Sequence, residues 1–297
     1  MPFRFPLVSR SLVIGAGALV PVLWVTASPH LAKARTLLRA RNFYGVVTLY
    51  KVGSGRAECL LLHHGGVAHG LQLLEPQLRK HATAYYGPES GAGLALRSLG
   101  QSNRPLRVGV VGLGAGTLAA YAAPGDVYRF YEINPLVIDL ARGQFTFLSD
   151  CPGTVDVVAG DARLSLEHEP AQSFDLLALD AFSGDAIPVH LLTAECFQTY
   201  LRHLAPRGII AVHVSNKHLD LEPVLRKEAE HAGLAAVRID AAPADPFQYE
   251  STWMLLARDA ADLNTDLIRP AVSPPSPRQR DVPLWTDDYS NLFRILK

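Results

Sequence analysis

Apolar residues along this chain follow two rhythms, and the change falls near residue 101. Upstream, "YGVVTLYKVGSGRAECLLLHHGGVAHGLQLL" breaks into three short apolar runs separated by Gly-Ser-Gly and His-Gly-Gly. Short runs punctuated by such turns predict a β-meander. A less regular, partly helical stretch follows from Glu75 to Gly100. From Arg107 onward, "RVGVVG", "VYRFYEI", "VDVVA", "FDLLALD", "GIIAVHV" and "AAVRID" read as strands, most of them separated by amphipathic stretches, and "STWMLLAR" adds a seventh. Strand and helix in alternation predict an α/β fold: a mostly parallel seven-stranded sheet with helices on both faces. The Pro-rich "RPAVSPPSPRQRDVP" reads as a loop, and "LWTDDYSNLFRILK" closes the chain without any internal repeat.

The start of the chain follows neither rhythm. Ser11 to Ser28 carry no charge for 18 residues, at the lower limit for a helix that crosses a bilayer. Arg4 and Arg10 precede this run, while Lys33, Arg35, Arg39 and Arg41 follow it. That excess of positive charge favours keeping the C-terminal side in the cytoplasm. The expectation is a hydrophobic N-terminal helix within residues 1–28 that tethers the protein to the cytoplasmic face of the membrane. A cleaved signal peptide ending at Ala32-Lys33-Ala34 and a buried helix are the rival readings. Residues 29–43 then form a basic linker with helical character, residues 44–100 a small β-rich domain, and residues 101–297 the α/β domain.

Composition narrows the partners. The chain carries 28 Lys+Arg against 28 Asp+Glu, so it offers no general attraction to nucleic acid, and none is expected as a partner. Cys59, Cys151 and Cys196 are odd in number and scattered. They form neither a metal spacing nor a disulfide framework, which fits a reducing compartment. His63 and His69 have the parity to share a strand face, but a turn intervenes and no acid completes a site, so no metal is expected.

Candidate chemistry sits at strand ends, where doubly wound sheets bind their ligands. The first α/β strand runs into Gly112, Gly114 and Gly116, a bare loop that lets a ligand approach backbone N–H groups at a helix start. The loop is not a full G-x-G-x-x-G, because Ala119 stands at the last position, and this makes NAD the less expected ligand. The second strand ends at Glu132, 20 residues after Gly112, where a carboxylate accepts both ribose hydroxyls of an adenosine. The third ends in "GDAR", so that Asp161 and the backbone of Ala162 can read an adenine edge. The fourth ends in "LALDAFSGDAIP", with Asp180 and Asp185 at the cleft mouth. Each acid alone also suits a helix cap or first-turn position. Four in succession point to an adenosyl-sulfonium site. At the end of the fifth strand, His213 or Asn216 is placed to touch substrate or to act as a structural polar group.

These residues resemble the polyamine aminopropyltransferases, or spermidine synthases, over about residues 44–297, and the resemblance implies their Rossmann-like methyltransferase fold. "GVAHGLQ" resembles the strand that carries a substrate-side Gln, here Gln72. "AYYGPESGAGLAL" resembles the segment with a catalytic-site Tyr, here Tyr85 or Tyr86. "YEINP" and "GDAR" resemble the ribose and adenine motifs, "DLLALDAFSGDAIP" the catalytic loop, and "WTDDYSNL" a C-terminal stretch that places Tyr289 near substrate. The hydrophobic start resembles a bacterial branch fused to membrane helices. The resemblance implies decarboxylated S-adenosylmethionine as co-substrate, an amine such as putrescine as acceptor, and a homodimer. It implies an amine attacking a carbon beside the sulfonium, with Asp180 taking its proton and Asp185 and a tyrosine orienting it. One departure bears on the donor: the family's glycine loop usually carries an Asp that helps bind the donor amine, and Ala115 stands there instead. Intact S-adenosylmethionine, with a methyltransferase or other sulfonium-cleaving activity, is therefore an alternative. A nucleoside-binding module without catalysis is a third reading.

Overall fold

The computed structural model describes residues 34–65, 67–181, 188–277 and 280–297. Four antiparallel strands come first: β1 (Arg35–Asn42), β2 (Gly45–Val52), β3 (Cys59–His64) and β4 (Val67–Leu73), paired in sequence order. The expected meander thus gains one strand. Arg35–Asn42, expected within a basic linker of helical character, pairs along its length with β2 from Arg35 opposite Lys51 to Asn42 opposite Gly45. A two-residue turn at Phe43–Tyr44 brings it back onto its neighbour, and the Asn42 side chain accepts the Tyr44 N–H at 3.0 Å. Pairing along a ready strand edge overrides the helical preference of a Leu- and Arg-rich segment.

The α/β part holds β5 (Arg107–Val111), β6 (Val127–Glu132), β7 (Thr154–Ala159), β8 (Phe174–Leu179), β9 (Leu204–His213), β10 (Ala235–Ala241), β11 (Ser251–Ala257) and the two-residue β12 (Val272–Ser273). Their order is β12-β10-β11-β9-β8-β5-β6-β7, parallel from β9 to β7 and antiparallel at β10, β11 and β12. The seven expected strands are all present, with β12 as an edge addition.

Strand periodicity splits the apolar residues between two cores. Val108, Val110, Leu176, Ala178, Ile209 and Ala211 pack on one face with the helices Gly91–Gly100 and Pro135–Gly143. Val111, Leu177, Leu179, Ile210 and Val212 pack on the other with Ala162–His168, Ala194–His203 and Glu222–Ala232. The small sheet has no separate core on its inner side: Val47, Leu49, Leu60 and Leu62 join the first cluster. The two sheets are thereby packed together, and the glycine loop lies between them.

The expected tether to the cytoplasmic membrane face is corrected. Among the described residues no helix is long and apolar enough to cross a membrane. The longest, Glu222–Ala232, has 11 residues, about 16 Å at ~1.5 Å per residue against a hydrocarbon core of about 30 Å. The run Ser11–Ser28 lies outside the described residues.

Candidate active site

The chain builds β6 and β7 on one side of β5, then returns to place β8 on the other. This reversal opens a crevice at the carboxyl ends of β5 and β8. The cleft found there is lined by Gly112, Gly114, Glu132, Asp161, Ala162 and Asp180, which with Tyr85 makes seven of the expected site residues brought together. The small sheet supplies a second wall with Tyr44, His64 and His69, and Tyr85 joins it.

The glycine loop serves packing more than helix polarity. Gly112 and Gly114 have φ of +94° and +53°, a region costly for residues with a Cβ. A Cβ on Gly112 would overlap the Asp180 carbonyl oxygen, and one on Gly114 the His69 carbonyl oxygen. The bare backbone therefore admits both β8 and β4 at close range. Behind the loop stands only a five-residue 3-10 turn, Thr117–Tyr121, in place of the expected helix start. Gly116 packs on the Leu148 side chain and is not among the residues lining the cleft.

Glu132 lies at the mouth of β6. Its carboxylate accepts the Leu113 N–H at 3.0 Å and the Asn134 N–H at 2.8 Å, tying the glycine loop to the β6 turn. Burial pushes its pKa above the ordinary range, and these backbone donors work against that shift. Asn134 in turn caps Pro135–Gly143 through Leu136 N–H and accepts the Asn42 side-chain amide at 2.6 Å.

Asp161 plays the capping role and lines the cleft as well. One oxygen accepts Leu164 N–H at 2.9 Å and the other meets His190 Nε2 at 3.0 Å. His190 is itself a cleft residue that the sequence reading did not single out.

Asp180 is buried at the end of β8. The Tyr86 hydroxyl donates to its Oδ2, and His213 Nδ1 lies 2.7 Å from its Oδ1. Tyr85, His213 and Trp253 form a continuous ring stack, with centroids 4.4 and 4.8 Å apart. The Tyr85–Tyr86 step is set by Ala84, which is held at φ +55° by backbone bonds to Phe247 and Tyr249. The two tyrosines thus divide their work: Tyr85 faces the cleft, and Tyr86 holds Asp180 from behind. Burial and the Asp180 charge push both phenols well above their ordinary pKa, which keeps them as neutral donors. His213 also stands behind Asp180 and is not among the residues lining the cleft.

Two further expected site residues, Gln72 and Tyr289, are not among those lining the cleft. Gln72 is buried and bonded to the Arg79 carbonyl and to both the N–H and Oγ1 of Thr146, a bracket between β4 and the segment after Pro135–Gly143. Tyr289 is 43% exposed in a turn closed by mutual Thr286–Tyr289 backbone bonds. That tail is held by the Arg163–Asp287 ion pair and by buried Trp285, whose N–H donates to Glu228, and Tyr289 is not among the residues lining the cleft. Asp185 lies outside the described residues.

No family model matches the chain. The polyamine aminopropyltransferase of Vibrio vulnificus is 30% identical to it over 115 residues, 37% of this chain and 38% of that protein. A probable polyamine aminopropyl transferase of Bifidobacterium longum is 28% identical over 109 residues, 36% of this chain and 23% of that one. Over about a third of its length the chain is thus similar to polyamine aminopropyltransferases. It spans well under half the length of these curated relatives. A probable spermidine synthase from Corynebacterium glutamicum shares its fold with TM-score 0.58 at 22% identity, over 75% of this chain and 79% of that one. Spermidine synthase from Thermotoga maritima does so with TM-score 0.54 at 14% identity, over 86% and 82%. The resemblance read from the motifs is borne out, as is the methyltransferase-like α/β sheet behind a small antiparallel one. The narrower likeness to a branch with membrane helices gains no support.

Proposed function

We propose that the protein is an aminopropyltransferase that moves the three-carbon amine arm of decarboxylated S-adenosylmethionine onto an amine such as putrescine. The observation that carries this reading is the Asp180 carboxylate, held by Tyr86 and His213 and facing the cleft alongside Glu132 and the glycine loop. Glu132 accepts the ribose hydroxyls, while Asp161 and the Ala162 backbone meet the adenine. Each Asp180 oxygen keeps a second lone pair beyond its present partner. It accepts a proton from the incoming ammonium, whose freed nitrogen pair bonds to the carbon beside sulfur. The carbon–sulfur bond then breaks, its electrons stay on sulfur, and methylthioadenosine leaves. Proton acceptance of this kind contributes roughly 10²–10⁴-fold, and alignment of nitrogen, carbon and sulfur contributes the rest. Asp185 and Tyr85 orient the amine.

The same reading takes residues 44–100 as the cleft-covering domain and residues 101–297 as the catalytic domain, assembled as a homodimer whose mass sedimentation measures. Calorimetry with decarboxylated S-adenosylmethionine, S-adenosylmethionine and methylthioadenosine, followed by mass spectrometry of products formed with putrescine, tests the activity. Methylthioadenosine and an aminopropylated amine are the expected products. S-adenosylhomocysteine with a methylated acceptor would replace the proposal by methyl transfer, and nucleoside binding without any product by a binding module.

A further inference from the structure

The cleft has a polar wall that the proposed chemistry leaves unused. His69 lines it from β4, close enough to Asp180 to feel its charge, and its Nε2 is covered without a hydrogen-bond partner among the described residues. A polar atom left in that state is destabilising, and a ligand N–H that meets it is correspondingly favoured. We propose that His69 receives the terminal ammonium of the donor's three-carbon arm, in place of the carboxylate that the glycine loop lacks. This rests on the aminopropyl-transfer reading and deepens it.

Position supports the assignment first. The His69 carbonyl sits against Gly114, so β4 brings the imidazole over the stretch of loop along which a sulfonium-bearing arm would run. The loop has no acid to offer there. Ala115 is 1% exposed, does not line the cleft, and packs on Gly70, the residue after His69.

Charge decides which end group fits. Burial pushes His69 down to about 4; the charge of Asp180 opposes this, and His64, His63 and His213 add to it. At neutral pH the ring is uncharged, and its unprotonated nitrogen accepts a hydrogen bond from a cation without repelling it. The carboxylates on the cleft wall are those of Asp180, Glu132 and Asp161. They favour an ammonium and oppose the carboxylate that intact S-adenosylmethionine would bring.

Calorimetry on the full chain tests this with three probes. In His69→Leu, affinity for decarboxylated S-adenosylmethionine should fall about 10-fold, the scale of one hydrogen bond to a charged group. Methylthioadenosine, which lacks the arm, should bind unchanged and so also reports that the variant is folded. His69→Gln, whose side-chain oxygen accepts, should recover part of the loss. Equal weakening of both nucleosides would make His69 a packing residue and overturn the proposal, as would no change in either. A loss confined to intact S-adenosylmethionine would overturn it in favour of carboxylate recognition. A wild-type protein that binds methylthioadenosine but not the decarboxylated donor would instead sink the aminopropyl reading itself, and the proposal with it.

Discussion

The carboxylates at the ends of β6 and β8 face one cleft and are held in opposite ways. Glu132 is gripped by main chain, through the N–H groups of Leu113 and Asn134. Asp180 is gripped by side chains, through the Tyr86 hydroxyl and the His213 ring within an aromatic stack. Main-chain donors are fixed by the fold and never change protonation state. They suit a group that binds a ligand equally in ground and transition states. A carboxylate framed by a phenol and an imidazole can gain a proton while its surroundings adjust, and that suits a group acting in the transition state. On the proposed function, the same residue chemistry at the two strand ends that flank β5 is divided between binding and reaction.

The largest effect should come from the β8 side. Asp180→Asn keeps the shape and removes the proton acceptor, so turnover with an amine acceptor should fall by about 10²-fold or more while nucleoside affinity changes little. Raising the pH should restore part of the rate, because more of the amine is then neutral. Loss of cofactor affinity with near-normal turnover at saturation would erase the division drawn above. On the β6 side, Glu132→Ala should weaken methylthioadenosine binding by roughly 1.5–3 kcal/mol, the range for hydrogen bonds to a charged group. Unchanged affinity in the folded variant would remove Glu132 from the nucleoside site.

His213→Phe preserves the ring stack but leaves one Asp180 oxygen without its partner. Turnover should drop about 10-fold with methylthioadenosine affinity intact, an effect on reaction alone. A change confined to KM would return His213 to substrate contact. The smallest effect sharpens the contrast with a third buried acid. Glu228, far along the chain from both, accepts only Trp285 N–H, and its Oε2 is covered without a partner among the described residues. Burial pushes its pKa from 4.5 to about 7, with Glu195 adding to the shift. Between those values the folded state holds more protons than the unfolded one, so stability declines as pH rises through that window. Wild type should therefore lose on the order of a few degrees of Tm between pH 5 and pH 8 that Glu228→Gln keeps. Parallel Tm curves for the two proteins would count against it.

How much of this was readable beforehand depended on whether a residue acts through its strand or through its neighbours. β5, β8 and β11 follow from continuous apolar runs, because a strand buried on both faces needs little else. Glu132, Asp161 and Asp180 were found by their place at strand ends, which topology alone dictates. Gln72 and Tyr289 rest on likeness of local motif, and a motif does not record which way a side chain turns: here they meet Arg79, Thr146 and Thr286 and do not line the cleft. β1 was missed because its evidence is the register of β2, a contact between segments. His69 carried a signal of a kind, as one of three histidines near a turn. Its place beside the glycine loop is a contact between segments, which the sequence does not record.

The fit of β4 against that loop also constrains how such a site can diversify. A methyl group on Gly70 would collide with the Ala115 methyl. Enlarging either position is therefore tolerated only after the other has shrunk or the strands have parted. Variation at positions 70 and 115 is therefore epistatic.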